Sequence, residues 1–201
     1  MLRVYEPFVV YQNVIKFAEK RGLKVINKTN FNEMDFAKHM RNNSYCLMEY
    51  VDGEKSDKKI SLLILEPGSI YVKKSADFNK LLEKYGADSA ELVAITKEPL
   101  NTHINNKIKK FTDDNATRVN NYLYRVFLYD FSNSKHCTYV KLTDEEQKAV
   151  RDEFLVSNQN FPKARSYDPD VIWLGAAKGT IVKIIRDSEV TGQAIAYREI
   201  V

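Results

Sequence analysis

The chain has 201 residues, with 44% hydrophobic and 29% charged side chains, an ordinary globular composition that buries roughly 70% of its unfolded surface without a disulfide or metal staple. Cys46 and Cys137 lie far apart with no Cys or His at metal-ligand spacing, which excludes a sequence-evident zinc site and points to free thiols in a reducing compartment. Residues 132–201 carry ten basic and ten acidic side chains, so the whole net charge of +4 falls on residues 1–131; this mild bias permits a phosphate-facing surface and is equally met by a solvated mixed-charge one.

The opening segment is interrupted by Glu6, Gln12 and Asn13 and reads as no signal peptide. No run of 18 apolar residues is present to span a membrane. Residues 7–21 place apolar side chains at 8, 11, 14, 15 and 18, one helical face, with Pro7 in the first turn and Gly22 just past the end. A strand over 23–26, a helix over 32–41 and a strand over 45–51 follow, and Asp52-Gly53 marks a turn. Ile60–Leu65 is an unbroken apolar strand, the pattern of a sheet covered on both faces. Ser75 is expected to cap a helix over 76–85 that Gly86 ends. Then come a buried strand over 91–96, a helix from Asn101 to about Lys110 and a strand over 122–129. This alternation predicts an α/β layered sheet with flanking helices over residues 1–131.

The polar stretch Ser132–Lys135 marks a boundary, and a small α+β domain is expected over 132–201. Thr143-Asp144-Glu145-Glu146 is a capping box, opening a helix to about residue 156 with Val150 and Phe154 on one face. Asp168-Pro169 opens a short second helix that Gly175 closes. Ala177-Lys178-Gly179 forms a turn, and residues 180–186 and 193–200 form an antiparallel hairpin joined through 188–192. Gly175, Gly179 and Gly192 all sit where positive φ or close backbone approach is expected. Lys183 and Arg186 fall on opposite faces of their strand, because their separation is odd. Glu189 and Arg198 are spaced for an exposed ion pair.

These C-terminal segments resemble a known family. The carrying residues are Lys135-His136, Phe161-Pro162, Asp168-Pro169, Trp173-Leu174-Gly175, Lys178-Gly179, Val182-Lys183-Ile184-Ile185-Arg186, Ser188-Glu189, Thr191-Gly192 and Tyr197-Arg198. Their order and spacing resemble the fifth subunit shared by the eukaryotic nuclear RNA polymerases, a family with a shorter archaeal counterpart. The likeness is dense over residues 135–201 and thin over 1–131, where a helix ahead of Arg21-Gly22 looks like the opening of the extra N-terminal domain that the eukaryotic form has and the archaeal form lacks. Trp173 stands where the family has Tyr or Phe, Val190 shifts a usual Thr to 191, and the family's Thr-Pro-Ser-Ala stretch has at best Asn101-Thr102-His103-Ile104 as its counterpart. This drift resembles the versions encoded by large DNA viruses.

The resemblance implies a non-catalytic component with no cofactor, no metal and no membrane contact. It implies that the C-terminal assembly domain docks on the largest polymerase subunit, next to neighbouring small subunits, through Pro162, Asp168, Pro169, Trp173, Gly175, Gly179, Lys183, Arg186, Ser188, Glu189, Gly192, Tyr197 and Arg198. Trp173 reads either as an interface anchor or as core packing. A jaw-like N-terminal lobe near downstream DNA is implied, with Thr102, Lys107, Lys109, Lys110 and Arg118 as DNA-proximal residues around a helix start; a solvated basic face is the plainer reading. Transcription regulators are further expected partners. The expected location is the nucleus for a cellular protein, and the host cytoplasm or virion for a viral one. Two other classes stay open: a free-standing nucleic-acid binding module, and a metal-dependent nuclease centred on Asp57-Lys58-Lys59. No Gly-rich phosphate loop, G-x-S-x-G or paired-His motif accompanies them.

Overall fold

The computed structural model describes residues 5–27, 30–53, 58–132, 137–154, 161–188 and 192–201. The chain divides into two compact units, Met1–Tyr129 and Asp130–Val201, a division two residues earlier than the break placed after residue 131.

The first unit is built on a mixed five-stranded sheet in the order β1-β2-β3-β4-β5. Strands β1 (Leu23–Asn27), β2 (Tyr45–Asp52) and β3 (Lys59–Leu65) run antiparallel. Strands β4 (Glu91–Thr96) and β5 (Arg118–Leu123) join β3 in parallel, as crossover connections require. Helices α1 (Glu6–Lys20) and α2 (Glu33–Asn43) contact strands β1, β2 and β3, while α4 (Ser75–Gly86) and α5 (Thr102–Asp114) pack on the opposite face. That second face buries Leu63, Leu65, Leu92 and Ala94 against Phe78, Leu81, Leu82 and Ile104. The alternate residues Leu62, Ile64, Val93 and Ile95 are also fully buried, so β3 and β4 lack polar alternation because both of their faces are covered.

Local chemistry explains the helix limits. The Asn32 and Asn101 side chains accept from the amides of Asp35 and Ile104, both at 2.9 Å, and cap α2 and α5. Gly53 sits where a Cβ would lie 2.4 Å from the Gly22 carbonyl oxygen; the Asp52-Gly53 signal is a demand for close backbone approach.

Three expectations need correction. The apolar face of α1 runs through Val10, Tyr11, Val14, Phe17 and Ala18, with Phe8 and Ile15 only half-buried. Ser75 is the first residue of α4 and not its cap; a short helix α3 (Ile70–Lys73) precedes it, and Lys74 holds the cap position with no side-chain bond. The strand expected over 122–129 is β5, set earlier in the chain, and a 3₁₀ turn over Tyr124–Val126 follows it. Asparagines are poor strand formers, but Asn120 donates to Glu91 at 2.7 Å and Asn121 to the Ala94 carbonyl at 3.0 Å, which ties both to β4. The aromatic run that looked like a strand instead plugs the core: Tyr124, Val126 and Phe127 are buried, and the Tyr124 hydroxyl donates to the Leu65 carbonyl at 2.5 Å.

The second unit holds a four-stranded sheet in the order β6-β8-β9-β7. Its strands are β6 (Thr138–Lys141), β7 (Lys163–Ala164), β8 (Ile181–Ser188) and β9 (Gly192–Ile200), with helices α6 (Asp144–Phe154) and α7 (Pro169–Leu174). The hairpin of β8 and β9 is as expected, whereas β6 and the two-residue β7 are additions to it.

Burial keeps several acids protonated in the first unit. It pushes the Cys46 thiol and the Tyr50 phenol each up to about 12 and raises Tyr124 beyond the ordinary range. From about pH 9 to pH 12 the unfolded chain releases these protons and the folded chain keeps them, so stability is full below that window and falls as pH rises through it. The urea midpoint is therefore expected to drop between about pH 8 and about pH 10.5. Near-ultraviolet titration should show fewer than all 12 tyrosines ionising until the chain is unfolded; an unchanged midpoint together with full native titration would refute this.

Candidate interaction surfaces

The β8–β9 ladder decides where the C-terminal site residues point. Its register pairs Ile181 with Glu199, Lys183 with Tyr197, Ile185 with Ile195 and Asp187 with Gln193 on the odd-numbered face. Val182, Ile184, Arg186 and Ser188 face Arg198, Ala196, Ala194 and Gly192 on the other. Strand β6 extends both faces, setting Val140 beside Lys183 and Thr138 beside Ile185. The even face packs Val182 and Ile200 against Val171 and Ala176 at α7. The odd face packs Ile181 against Leu142, Val150 and Phe161, where α6 covers it.

The residues expected at the assembly interface are therefore not gathered on one face. Lys183 and Tyr197 lie on the odd face, and Arg186, Ser188, Gly192 and Arg198 on the even one. Pro162 precedes β7, and its carbonyl accepts from the Glu199 amide at 2.9 Å. Asp168 holds the N-cap position of α7 ahead of Pro169, but its side chain makes no capping bond. Gly175 closes α7 at φ 65°, a conformation that taxes any residue with a Cβ. Gly179 and Gly192 also have positive φ, the latter as the first residue of β9.

Trp173 is 0% exposed, its ring 5.9 Å from that of Phe131. It is a core residue of its own unit rather than an exposed anchor. Arg198 donates to the Lys163 carbonyl at 3.3 Å, while its expected partner Glu189 lies outside the described residues, as do Lys135 and His136.

Sequence reasoning missed what holds the hairpin to α6. Both halves of the capping box form: the Thr143 amide donates to Glu146 at 2.8 Å, and the Glu146 amide to the Thr143 hydroxyl at 3.2 Å. One residue further on, Gln147 is buried; its Oε1 accepts from the Ile181 amide at 2.9 Å and its Nε2 donates to the Leu142 carbonyl at 3.3 Å. Only a polar residue on the apolar side of α6 hinted at this tie.

In the first unit, Thr102 opens α5, but Lys107, Lys109 and Lys110 stand on its later turns, away from the helix start where they were expected. All four are exposed, as is Arg118 at the start of β5. Lys107 and Lys110, three residues apart, share a flank and line a cleft of about 460 Å³ with Phe111 and Asp114 of α5 and Asn79 and Glu83 of α4. Lys109 points elsewhere, so the lysines form no single phosphate-binding row. Of the nuclease triplet, Asp57 lies outside the described residues, Lys58 is exposed, and Lys59 pairs with Glu49 at 2.5 Å. Among the described residues, no three or more His, Cys, Asp or Glu side chains group to hold a metal ion, and no helix is long and apolar enough to cross a membrane.

Residues 134–200 match the family described as RNA polymerase Rpb5, C-terminal domain. A stretch of 60 residues is 32% identical to DNA-directed RNA polymerase subunit Rpo5 of Methanococcoides burtonii, covering 30% of this chain and 77% of that protein. The chain belongs to the Rpb5 family. The Rpo5 subunit of Pyrococcus horikoshii is 37% identical over 60 residues, 30% of this chain and 73% of its own length. The subunit RPABC1 of RNA polymerases I, II and III from Caenorhabditis elegans is 33% identical over 63 residues, but these are 31% of this chain and only 30% of the nematode protein. The family match thus falls within the second unit, an Rpb5-type domain.

In that domain, Gln147→Ala would strand the buried Ile181 amide and is expected to cost about 1–3 kcal/mol. Chemical denaturation measures this, and hydrogen exchange should show faster loss of protection at Ile181 than at Ile195. A change of a few tenths of a kcal/mol would mean that water replaces the amide.

Proposed function

We propose that the chain is a non-catalytic subunit of a multi-subunit DNA-directed RNA polymerase. The observation that carries this is the coincidence of the 134–200 family match with one compact unit, Asp130–Val201, while 60 residues of the chain match 77% and 73% of the length of relatives named as polymerase subunits. In this reading the second unit docks on the largest subunit, beside neighbouring small subunits, and nucleotidyl transfer belongs to other chains. The first unit is a jaw-like lobe near downstream DNA, open to transcription regulators. Exposed Lys107, Lys109, Lys110 and Arg118 suit weak, sequence-independent phosphate contact. The protein acts in the nucleus where a cell encodes it, and in the host cytoplasm or virion where a large DNA virus does.

Affinity purification of the tagged full chain from its native source, washed in high salt, tests the assembly half. The largest polymerase subunit should be recovered and identified by mass spectrometry; recovery of the chain alone refutes the reading. For the DNA half, the assembled polymerase carrying Lys107→Glu and Lys110→Glu should keep its subunits but crosslink less to downstream DNA, with a shallower salt dependence. Unchanged crosslinking would put the DNA elsewhere.

A further inference from the structure

Helix α6 covers only part of the odd-numbered face of the second sheet. It buries Ile181 together with Leu142, Val150 and Phe161, and Tyr197 packs at the border of that cluster. Two rows of side chains lie beyond. One holds Val140, Lys183 and Tyr197, and the next holds Thr138, Ile185 and Ile195. Val140 is 36% exposed and Ile195 53%. Phe154, at the last residue of α6, is 50% exposed with its ring 5.7 Å from that of Tyr197. These side chains adjoin across three strands and the end of a helix, so they form one strip and not scattered single exposures. The apolar path runs Val140–Ile185–Ile195–Tyr197 around Lys183, which stands on the central strand between Val140 and Tyr197, and Asp187 and Gln193 close its far end. A contiguous apolar strip with a polar border is the layout of an interface centre.

The size of the relatives indicates what covers it. The matched 60 residues are 77% of the Methanococcoides subunit and 73% of the Pyrococcus one. Proteins that consist of little more than this unit must be held in their assembly by a surface of this unit. A permanent subunit contact buries roughly 2,000 Å² or more around an apolar centre. The even face offers no such centre: its apolar residues are used against α7, and its open end carries Arg186 and Ser188.

We infer that the strip Val140–Ile185–Ile195, bordered by Tyr197 and Phe154, is the face that seats the protein on an apolar surface of another polymerase subunit. This rests on the subunit reading above and adds the face, its residues and the apolar chemistry of the partner's surface.

The test uses the tagged full chain in its native source. Val140→Glu and Ile195→Glu are combined; both positions are exposed, so the unfolding midpoint and monomer size serve as checks that the fold survives. Recovery of the largest polymerase subunit per tagged chain should fall roughly tenfold or more. Tyr167→Glu, at a 64% exposed site off the strip, should recover as much as wild type. If the double glutamate variant loses its fold, the double threonine variant takes its place and should show the same direction of loss. Undiminished recovery with either folded double variant overturns the inference and leaves the subunit reading standing. A wild-type chain that brings down no polymerase subunit overturns both. A wild-type dimer that the double variant converts to monomer assigns the strip to a second copy of this chain, and the inference is wrong.

Discussion

The eight-pair ladder between Ile181–Ser188 and Gly192–Ile200 is the constraint on which the second unit depends. A strand has a period of two, so a slip of one residue would swap the two faces, turning Ile181 away from α6 and Val182 away from α7. Burial on both sides removes that freedom. Val182 and Ile200 commit one face to α7, and Ile181 commits the other to α6. Gln147 adds a directional bond at the first rung, and hydrophobic contact alone has no such direction. The ladder thereby sorts charged and apolar side chains between two faces that look alike in composition. Its positions therefore have different meanings even where they are neighbours in sequence.

The first unit has a comparable pin at the other end of its sheet. Glu91 begins β4 with little exposure, held by Arg21 at 2.6 Å and Asn120 at 2.7 Å. Arg21 follows directly on α1 and also lies over the Phe17 ring at 5.2 Å. One carboxylate thus joins the first helix, the fourth strand and the fifth. Removing either charge of so buried a pair leaves the other uncompensated, so the pair acts mainly as a specification of how helix and sheet meet.

Local signals were legible where physics is local. The capping box at Thr143, the helix-closing Gly175 and the hairpin are all short-range patterns, and the structure shows each of them, whereas the caps expected at Ser75 and Asp168 form no side-chain bond. The both-faces-covered run at Ile60–Leu65 also read correctly, since continuous apolarity leaves a sheet few alternatives. Errors came where tertiary contacts overrule propensity. Asn120 and Asn121 join the sheet through side-chain bonds that no window of sequence displays, while Tyr124 and Phe127, strand-like by composition, leave it to fill the core. The interface residues were chosen by family likeness, which does not say which way a side chain faces; hence Trp173 was placed among them although it is fully enclosed. Val140 and Ile195 went unnoticed because an isolated Val or Ile in a strand looks like core.

The register break in β1 has a consequence for solubility. Val25 pairs with Tyr50 but Asn27 with Glu49, leaving Ile26 as an extra residue at an outer edge where Val25 and Ile26 are about half exposed. An evenly spaced, apolar edge strand is a template on which another chain can lay a strand of its own. The extra residue disrupts that spacing and bends the edge, and Lys24 would set a charge against any incoming strand. The sheet thus ends in a margin poorly suited to extension by a further strand.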